Sequence, residues 1–446
     1  MRKILLFLII SILCMGAPER VSAQELTLPV CPPTIVGSGA RARGMGEAFV
    51  AIADDATAAS WNPAGLVQLQ KPEMSLVLSY ERRSVRYDSK EYEESGGIIV
   101  RERGSDESLT LNDINYLSVV YPTCIVRRNV VFSLNYQYLY DFSRDFETER
   151  EWEYSGSGTS FLYSYHGEGG LYALSPAVAF QVTPNLYCGL TTNIWSDELT
   201  DHCNWTHTSS FDPNTNIPNN STITTEKYHD FEAFNAHIGF FWMVNSYLTV
   251  AGVYKSPVRA RLKREIDSQQ HGISIPDYRD SYGDINRIRF PAVYGLGIAY
   301  RFSDALTIST DITRTEWDDF SLKNREGETF GLFTEFDSIT NKPFSPKIKP
   351  TYALRFGAEY LKILEKTVIP LRVGLFYDPM PSLDNPLDSY GITLGSGISI
   401  GDLVLDVAYQ YRFATKIPGA EAGLSELDQE INKKSHQVLL SGIYYF

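Results

Sequence analysis

From Pro72 to the C-terminus, apolar and polar residues alternate with a period of two, the mark of strands that have one face against an apolar medium. Between Val130 and Tyr140, Phe132, Leu134, Tyr136, Tyr138 and Tyr140 share one face, and Ser133, Asn135 and Gln137 the other. Leu306, Ile308 and Ile312 oppose Thr307, Ser309, Asp311 and Thr313 in the same way. Tyr352, Leu354, Phe356 and Tyr360 oppose Arg355 and Glu359, and Leu403 to Tyr411 oppose Asp406, Gln410 and Arg412. A soluble sandwich alternates too, so the connections must decide. Short turns fall at Arg127–Asn129, Thr183–Asn185, Asn245–Ser246, Phe302–Asp304, Leu364–Lys366 and Gly401–Asp402. They alternate with longer polar stretches at Ser89–Leu109, Ser155–Gly167, Thr208–Thr225, Asp267–Tyr282, Lys323–Lys349, Pro381–Leu387 and Ile417–Asn432, which read as loops.

Six short turns alternating with seven long loops imply fourteen strands. An even count with short connections at one end and long ones at the other describes a transmembrane β-barrel of the outer membrane, with the short turns in the periplasm. The final strand, Ser435 to Phe446, puts Val438, Leu440, Tyr444 and Phe446 on one face and ends on an aromatic residue, like the assembly signal of bacterial outer-membrane barrels. The fold class expected is therefore all-β, a 14-stranded antiparallel barrel.

A bore of this size leaks unless something occupies it: eight strands leave an interior filled by side chains, and sixteen or more leave an aqueous channel. The stretch Gly37 to Leu66 has no strand alternation and is rich in glycine and alanine. By itself it reads equally well as a compact plug or as a short surface helix ahead of a β-domain. Asn62 and Pro63 end any helix there, because proline lacks an amide donor and excludes the preceding residue from helical geometry. With a barrel to fill, residues 24–71 become its expected plug.

Met1 to Ala23 has Arg2 and Lys3, an apolar run from Ile4 to Met15 and the small-residue ending Val21-Ser22-Ala23, which reads as an export signal. The expected organisation is signal peptide 1–23, plug 24–71 and barrel 72–446. The formal net charge of −14 opposes contact with nucleic acid phosphates. Cys31, Cys124, Cys188 and Cys203 match no metal-ligand spacing, and their pairing cannot be read from sequence. No nucleophile elbow, metal-binding helix, P-loop or dinucleotide fingerprint occurs, so neither an enzyme nor a cofactor is expected. Charged clusters at Arg144–Glu153 and Arg259–Asp267 stand above the membrane as solvated strand ends, with lipopolysaccharide as a second reading. Asp54 and Asp55, paired to the inward-facing Arg355 and Arg412, form a candidate tie between plug and wall, since one half of a buried ion pair is costly to strand.

The stretch ARGMGEAFVAIADDATAASWNPAGL resembles the N-terminal hatch of the FadL family of outer-membrane long-chain fatty-acid transporters, which includes TodX-type hydrocarbon importers. Asn62, Pro63 and Ala64 match the family's NPA motif, and Gly44, Gly46, Asp54 and Asp55 match its preceding glycines and acidic pair. SPAVAFQVTPNLYCGL from Ser175, AGVYKSPVRARL from Ala251, FPAVYGLGIAYRF from Phe290 and LRVGLFYDPMPS from Leu371 follow in the family's order. The resemblance implies a monomeric, hatch-plugged channel for fatty acids or similar hydrophobic compounds, with lateral release at a kinked third strand. That strand, Val130 to Tyr154, has neither glycine nor proline, so the usual means of kinking is missing. Phe161, Leu162, Tyr163, Phe330, Leu332 and Phe333 are candidates for an outer capture groove. A different class stays open beside transport: a FadL-related barrel of the PorV type that serves protein secretion.

Overall fold

The computed structural model describes residues 34–446 except 36, 95–97, 155–156, 201, 215–220, 272–277, 326, 337–341, 366, 384 and 419–429. The expected signal peptide and the start of the plug, including Cys31, lie outside the described residues. Fourteen wall strands run in chain order as an antiparallel meander that closes on itself. They are β1 (Glu73–Tyr87), β2 (Ser105–Ile125), β3 (Arg128–Asp141, continued by Arg144–Tyr154), β4 (Ser157–Thr183), β5 (Leu186–Ser196, continued by Cys203–Asn214), β6 (Ser221–Met243) and β7 (Leu248–Lys255, continued by Val258–His271). There follow β8 (Tyr278–Phe290, continued by Val293–Arg301), β9 (Leu306–Thr315), β10 (Thr351–Ile363), β11 (Val368–Tyr377), β12 (Tyr390–Ile400), β13 (Leu403–Pro418) and β14 (Glu430–Tyr445). β14 closes the ring by pairing with β1 along its whole length, Glu73 opposite Tyr445 through Tyr87 opposite Ile431.

Alternation sorts the two faces as expected. On β1, Met74, Leu76, Leu78 and Tyr80 are exposed outside, while Glu73, Ser75 and Val77 are buried inside. Leu296, Ile298, Leu354, Phe356, Leu394 and Leu405 continue an apolar outer belt around the wall. No helix among the described residues is long and apolar enough to cross a membrane; the strands make the belt.

Several stretches that read as loops are strand. β4 is 27 residues long, β6 is 23 and β2 is 21, well beyond the roughly 9–11 needed to cross hydrocarbon. Residues 89–109 hold a hairpin, Lys90–Glu94 with Ile98–Glu102, and the start of β2. Above the belt the exposed face turns polar while the other buries side chains such as Tyr87, Phe146 and Tyr165, and the ladder of backbone hydrogen bonds continues.

Inside, residues 37–69 pack as a hatch: a short helix Ala40–Gly44, a helical turn Ala58–Trp61 and a 3-10 segment Pro63–Gln68. Its small residues are almost fully buried, and Met45, Phe49, Ala51, Ala59 and Leu66 join Val120, Val131, Phe241 and Ala251 of the wall in one apolar cluster. Wall glycines permit the fit, Gly239 and Gly374 most tightly among them. A Cβ on Gly239 would lie 2.0 Å from Asn62 Oδ1, and one on Gly374 would lie 2.1 Å from the Gly46 amide nitrogen. Side chains at either position would push the hatch off the wall. We expect Gly374→Val to leave the barrel folded, with normal heat-dependent gel mobility, but to raise small-dye leakage through reconstituted liposomes; leakage equal to wild type would contradict this seating.

Candidate functional site

The hatch is stitched to the wall around its circumference. Asn62 uses its whole amide: Oδ1 accepts from the Ala64 amide (3.2 Å), and Nδ2 donates to the carbonyls of Val50 (3.0 Å) and Phe240 (3.0 Å). The asparagine of the NPA turn therefore holds the hatch to itself and to β6. Thr393 on β12 does the same for the glycine pair, accepting from the Gly46 amide (2.9 Å) and donating to the Gly44 carbonyl (3.0 Å). Tyr116 donates to Ala56 O (2.7 Å), Thr191 to Ala59 O (2.7 Å) and Lys255 to Ser60 O (3.0 Å).

Charge holds the side facing β10 to β13. Arg41 of the hatch pairs with Asp54 and grips Glu359 of β10 through two nitrogens (3.0 and 3.1 Å). Arg372 then bridges Glu359 (2.6 Å) to Asp406 (2.5 Å), so alternating charges run from hatch to β13. A second set joins Glu47 to Arg43 beside it and to Arg355 (3.3 Å), while Asp378 joins Arg355 (3.6 Å) to Arg412 (3.0 Å). Burial alone would raise the Glu47 carboxyl, but Arg43, Arg355 and Arg412 hold it down at about 2.

The pairing expected of Asp54 and Asp55 takes another form. Asp54 reaches Arg41, and Asp55 accepts from the Thr57 amide (2.8 Å) and hydroxyl (2.6 Å); neither meets Arg355 or Arg412. Those two arginines do face the hatch side, but the carboxylate that meets Arg355 is Glu47. The hatch has arginines of its own, closer to its acids than the wall is.

Above the hatch lies a cavity of about 360 Å³. Leu139, Tyr140 and Phe142 of β3, Trp195 of β5 and Trp317 form its apolar lining, with Trp61 and Val50 of the hatch at its base. Arg355, Arg412, Asp378 and Lys255 line it as well, with Lys255 on β7 between Trp195 and Trp317 in the order of the wall. Lys255 also stands 6.0 Å over the Trp61 ring.

β3 is irregular where it lines this cavity. Its alternation holds through Gln137 and fails at a register shift between Tyr138 and Tyr140, where Tyr138 and Leu139 are both buried. The strand then breaks at Phe142 and Ser143 before resuming at Arg144. Pairing with β2 stops at Tyr116 opposite Gln137, and the two strands meet again only above, where the Arg103 amide donates to Glu149 O (2.8 Å) and Ser105 Oγ to Glu147 O (2.8 Å). Among the described residues, the wall between them is bridged by a two-residue strand, Thr34–Ile35, whose backbone pairs with Asp141 and Tyr140. The third strand is thus interrupted without glycine or proline. One extra residue and a two-residue break do the work.

The candidate capture residues do not converge. Phe161 packs on Trp152 and Phe211 (both 4.9 Å between ring centres) and Tyr163 on Phe146 (5.4 Å) at the outer end of β4, where Leu162 is half-buried. Phe330 and Leu332 belong to a separate cluster with Phe290, Phe320 and Leu322, and Phe333 is half-buried nearby in sequence. Arg41, Glu47, Glu359, Trp195 and Trp317 were not singled out from sequence. For the charged three, the available signal was an ionisable residue either among the hatch's small residues or on the inward face of a strand.

These features define a class: a closed, hatch-plugged transmembrane β-barrel with a lumenal cavity and a break in its wall. Residues 36–443 match the family described as outer membrane protein transport protein (OMPP1/FadL/TodX), and the chain belongs to that family of outer-membrane transporters of hydrophobic compounds. The fold is similar to that of a Pseudomonas aeruginosa FadL homologue, with TM-score 0.61 and 18% identity over 93% of this chain and 99% of that one. It is also similar to the Pseudomonas putida toluene transporter TodX (TM-score 0.53, 13% identity, 92% and 98% covered) and the Ralstonia pickettii toluene transporter TbuX (TM-score 0.52, 13% identity, 93% and 99% covered). No curated protein is similar enough in sequence to count as a match.

Removing Arg41 takes an ion-pair partner from Asp54, Asp55 and Glu359, although Asp55 keeps Thr57 and Glu359 keeps Arg372. Arg41→Gln is expected to weaken hatch seating by about 1.5–3 kcal/mol, the scale of a lost hydrogen bond to a charged group. The check is dye leakage, which should exceed that of Asp54→Asn. The pH dependence follows from Glu47. Because its carboxyl is held below the ordinary value of 4.5, its contribution is complete above that pH and is lost as pH falls toward about 2. Wild-type leakage should be flat from neutral pH to that point and rise below it, and Glu47→Gln should leak already at neutral pH.

Proposed function

We propose that this chain is an integral outer-membrane monomer that takes up hydrophobic compounds passively, through the cavity above the hatch and out sideways between β2 and β3. The observation that carries this reading is the continuity of the cavity with the broken strand: Tyr140, Asp141, Phe142 and Ser143 line the one and edge the other. Apolar solutes gain by staying out of water, so a walled path that ends beside the bilayer never asks them to enter it. On β1 and β2 the apolar belt ends at Tyr80 and Ile114, level with the start of the gap. Release there is into the membrane rather than the periplasm.

The cavity also suggests the substrate. Its lining combines the aromatic Tyr140, Phe142, Trp195 and Trp317 with the cations Lys255, Arg355 and Arg412, and Lys255 is bound to a backbone carbonyl rather than to a carboxylate. This pattern suits an amphiphile with an apolar tail and an acidic head, such as a fatty acid, better than a plain hydrocarbon. Bound ligand extracted from the purified protein and identified by mass spectrometry tests the class, and a neutral aromatic compound there would overturn the acid. For the route, deleting Phe142 and Ser143 joins the two halves of β3. Uptake of a hydrophobic probe should drop about tenfold or more, as expected when the exit barrier rises by 1.4 kcal/mol or beyond, while the barrel still folds. Undiminished uptake in that variant would remove the lateral exit from the mechanism.

A further inference from the structure

Over most of the outer sheet, charges that face each other on neighbouring strands are opposite in sign. Arg86 stands opposite Asp106, Arg101 between Glu91 and Glu151, and Arg150 opposite Glu102. One region reverses the pattern. Arg261 of β7 lies between Glu232 of β6 and Arg287 of β8, Arg287 lies opposite Lys323, and two residues lower Arg259 lies opposite Arg289. Their strand neighbours Ala260, Leu262, Ile288 and Leu322 are buried in the inner cluster, so all five cations project from the outer surface. Like charges directly opposite one another destabilise a sheet. Arg289 is relieved by Asp319 (2.8 Å), but among the described residues no carboxylate is within ion-pair distance of Arg259, Arg261, Arg287 or Lys323. In a chain of net charge −14, so dense a row of cations runs against the overall balance.

Its height is equally specific. Phe234, 61% exposed, lies opposite Arg259 at the top of the apolar belt, and the first strongly exposed apolar side chain below Arg289 on β8 is Tyr294, 47% exposed and five residues on. Arg289 is eleven residues along β8 from Tyr300 near the periplasmic turn, about the length a tilted strand needs to cross hydrocarbon. The cations therefore sit where the outer leaflet places its phosphates, above a rim that can meet acyl chains.

We propose that Arg261, Arg287 and Lys323, flanked by Arg259 and Arg289, bind the phosphate groups of an anionic glycolipid in the outer leaflet. Guanidinium forks pair with phosphate through two parallel hydrogen bonds, and a phosphate between facing arginines turns their repulsion into shared attraction. A soluble phosphate would satisfy the charges but leave the aromatic rim unused, which is why a lipid is the expected occupant.

Full-length protein in neutral detergent, incubated with diphosphoryl lipid A and measured by native mass spectrometry, tests this. Wild type should retain the lipid. Replacing Arg261, Arg287 and Lys323 together by Gln should lower retention about tenfold or more, the scale of losing charge-assisted contacts. The control, Arg101→Gln with Arg103→Gln, neutralises cations elsewhere on the outer sheet and should retain lipid like wild type. Heat-dependent gel mobility reports folding, and Arg287→Gln alone serves if the triple variant misfolds. Equal retention by the variant, equal retention of dephosphorylated lipid A, or the same thermal protection from inorganic phosphate alone would each overturn the proposal.

Discussion

Backbone hydrogen bonding in hydrocarbon is the constraint on which the rest of this structure depends. No water is present there to satisfy an open sheet edge, so the wall must close, and β14 meets β1 without a missing rung. Closure at fourteen strands fixes a bore too wide for wall side chains to fill. The hatch follows from that width, and its composition follows from the hatch: small residues let a compact segment approach the wall backbone, as at Gly239 and Gly374.

The same constraint gives the broken third strand its meaning. Where β3 parts from β2 at Gln137, strand edges lose their partners, and Thr34–Ile35 restores pairing opposite Tyr140 and Asp141. The cavity's aromatic lining begins at the same residues. The irregular stretch of the wall and the pocket therefore share the same residues, 139 to 143.

Much of the fold was legible in the sequence because strands facing lipid on one side announce themselves. Phe132 and Leu134 against Ser133, Asn135 and Gln137 place the wall correctly, and turns such as Gly401–Asp402 mark the periplasmic end. The outer extensions were missed because serine, glycine and charge dominate them, although at Ser157–Gly167 Phe161 and Tyr165 alternate onto a buried face. The break in β3 was hidden for a different reason. A single additional residue at Leu139 changes register without changing composition, and no glycine or proline marks it. The ionic ties were half legible. Sign and facing brought Arg355 into view, but choosing Glu47 over Asp54 depends on distances that Arg41 and Arg43 settle from within the hatch.

The hatch is fastened by two kinds of force on two sides. Pro63–Gln68 and its neighbours bury alanines and leucines among β3 to β6, while Arg41 and Glu47 are tied by charge to β10. Apolar burial weakens on cooling, whereas the dehydration cost of ion pairs falls on warming. Temperature therefore acts on the two sides unequally: cold favours release at the apolar side, and warmth tightens the ionic side. Heating and cooling therefore load opposite sides of the same plug.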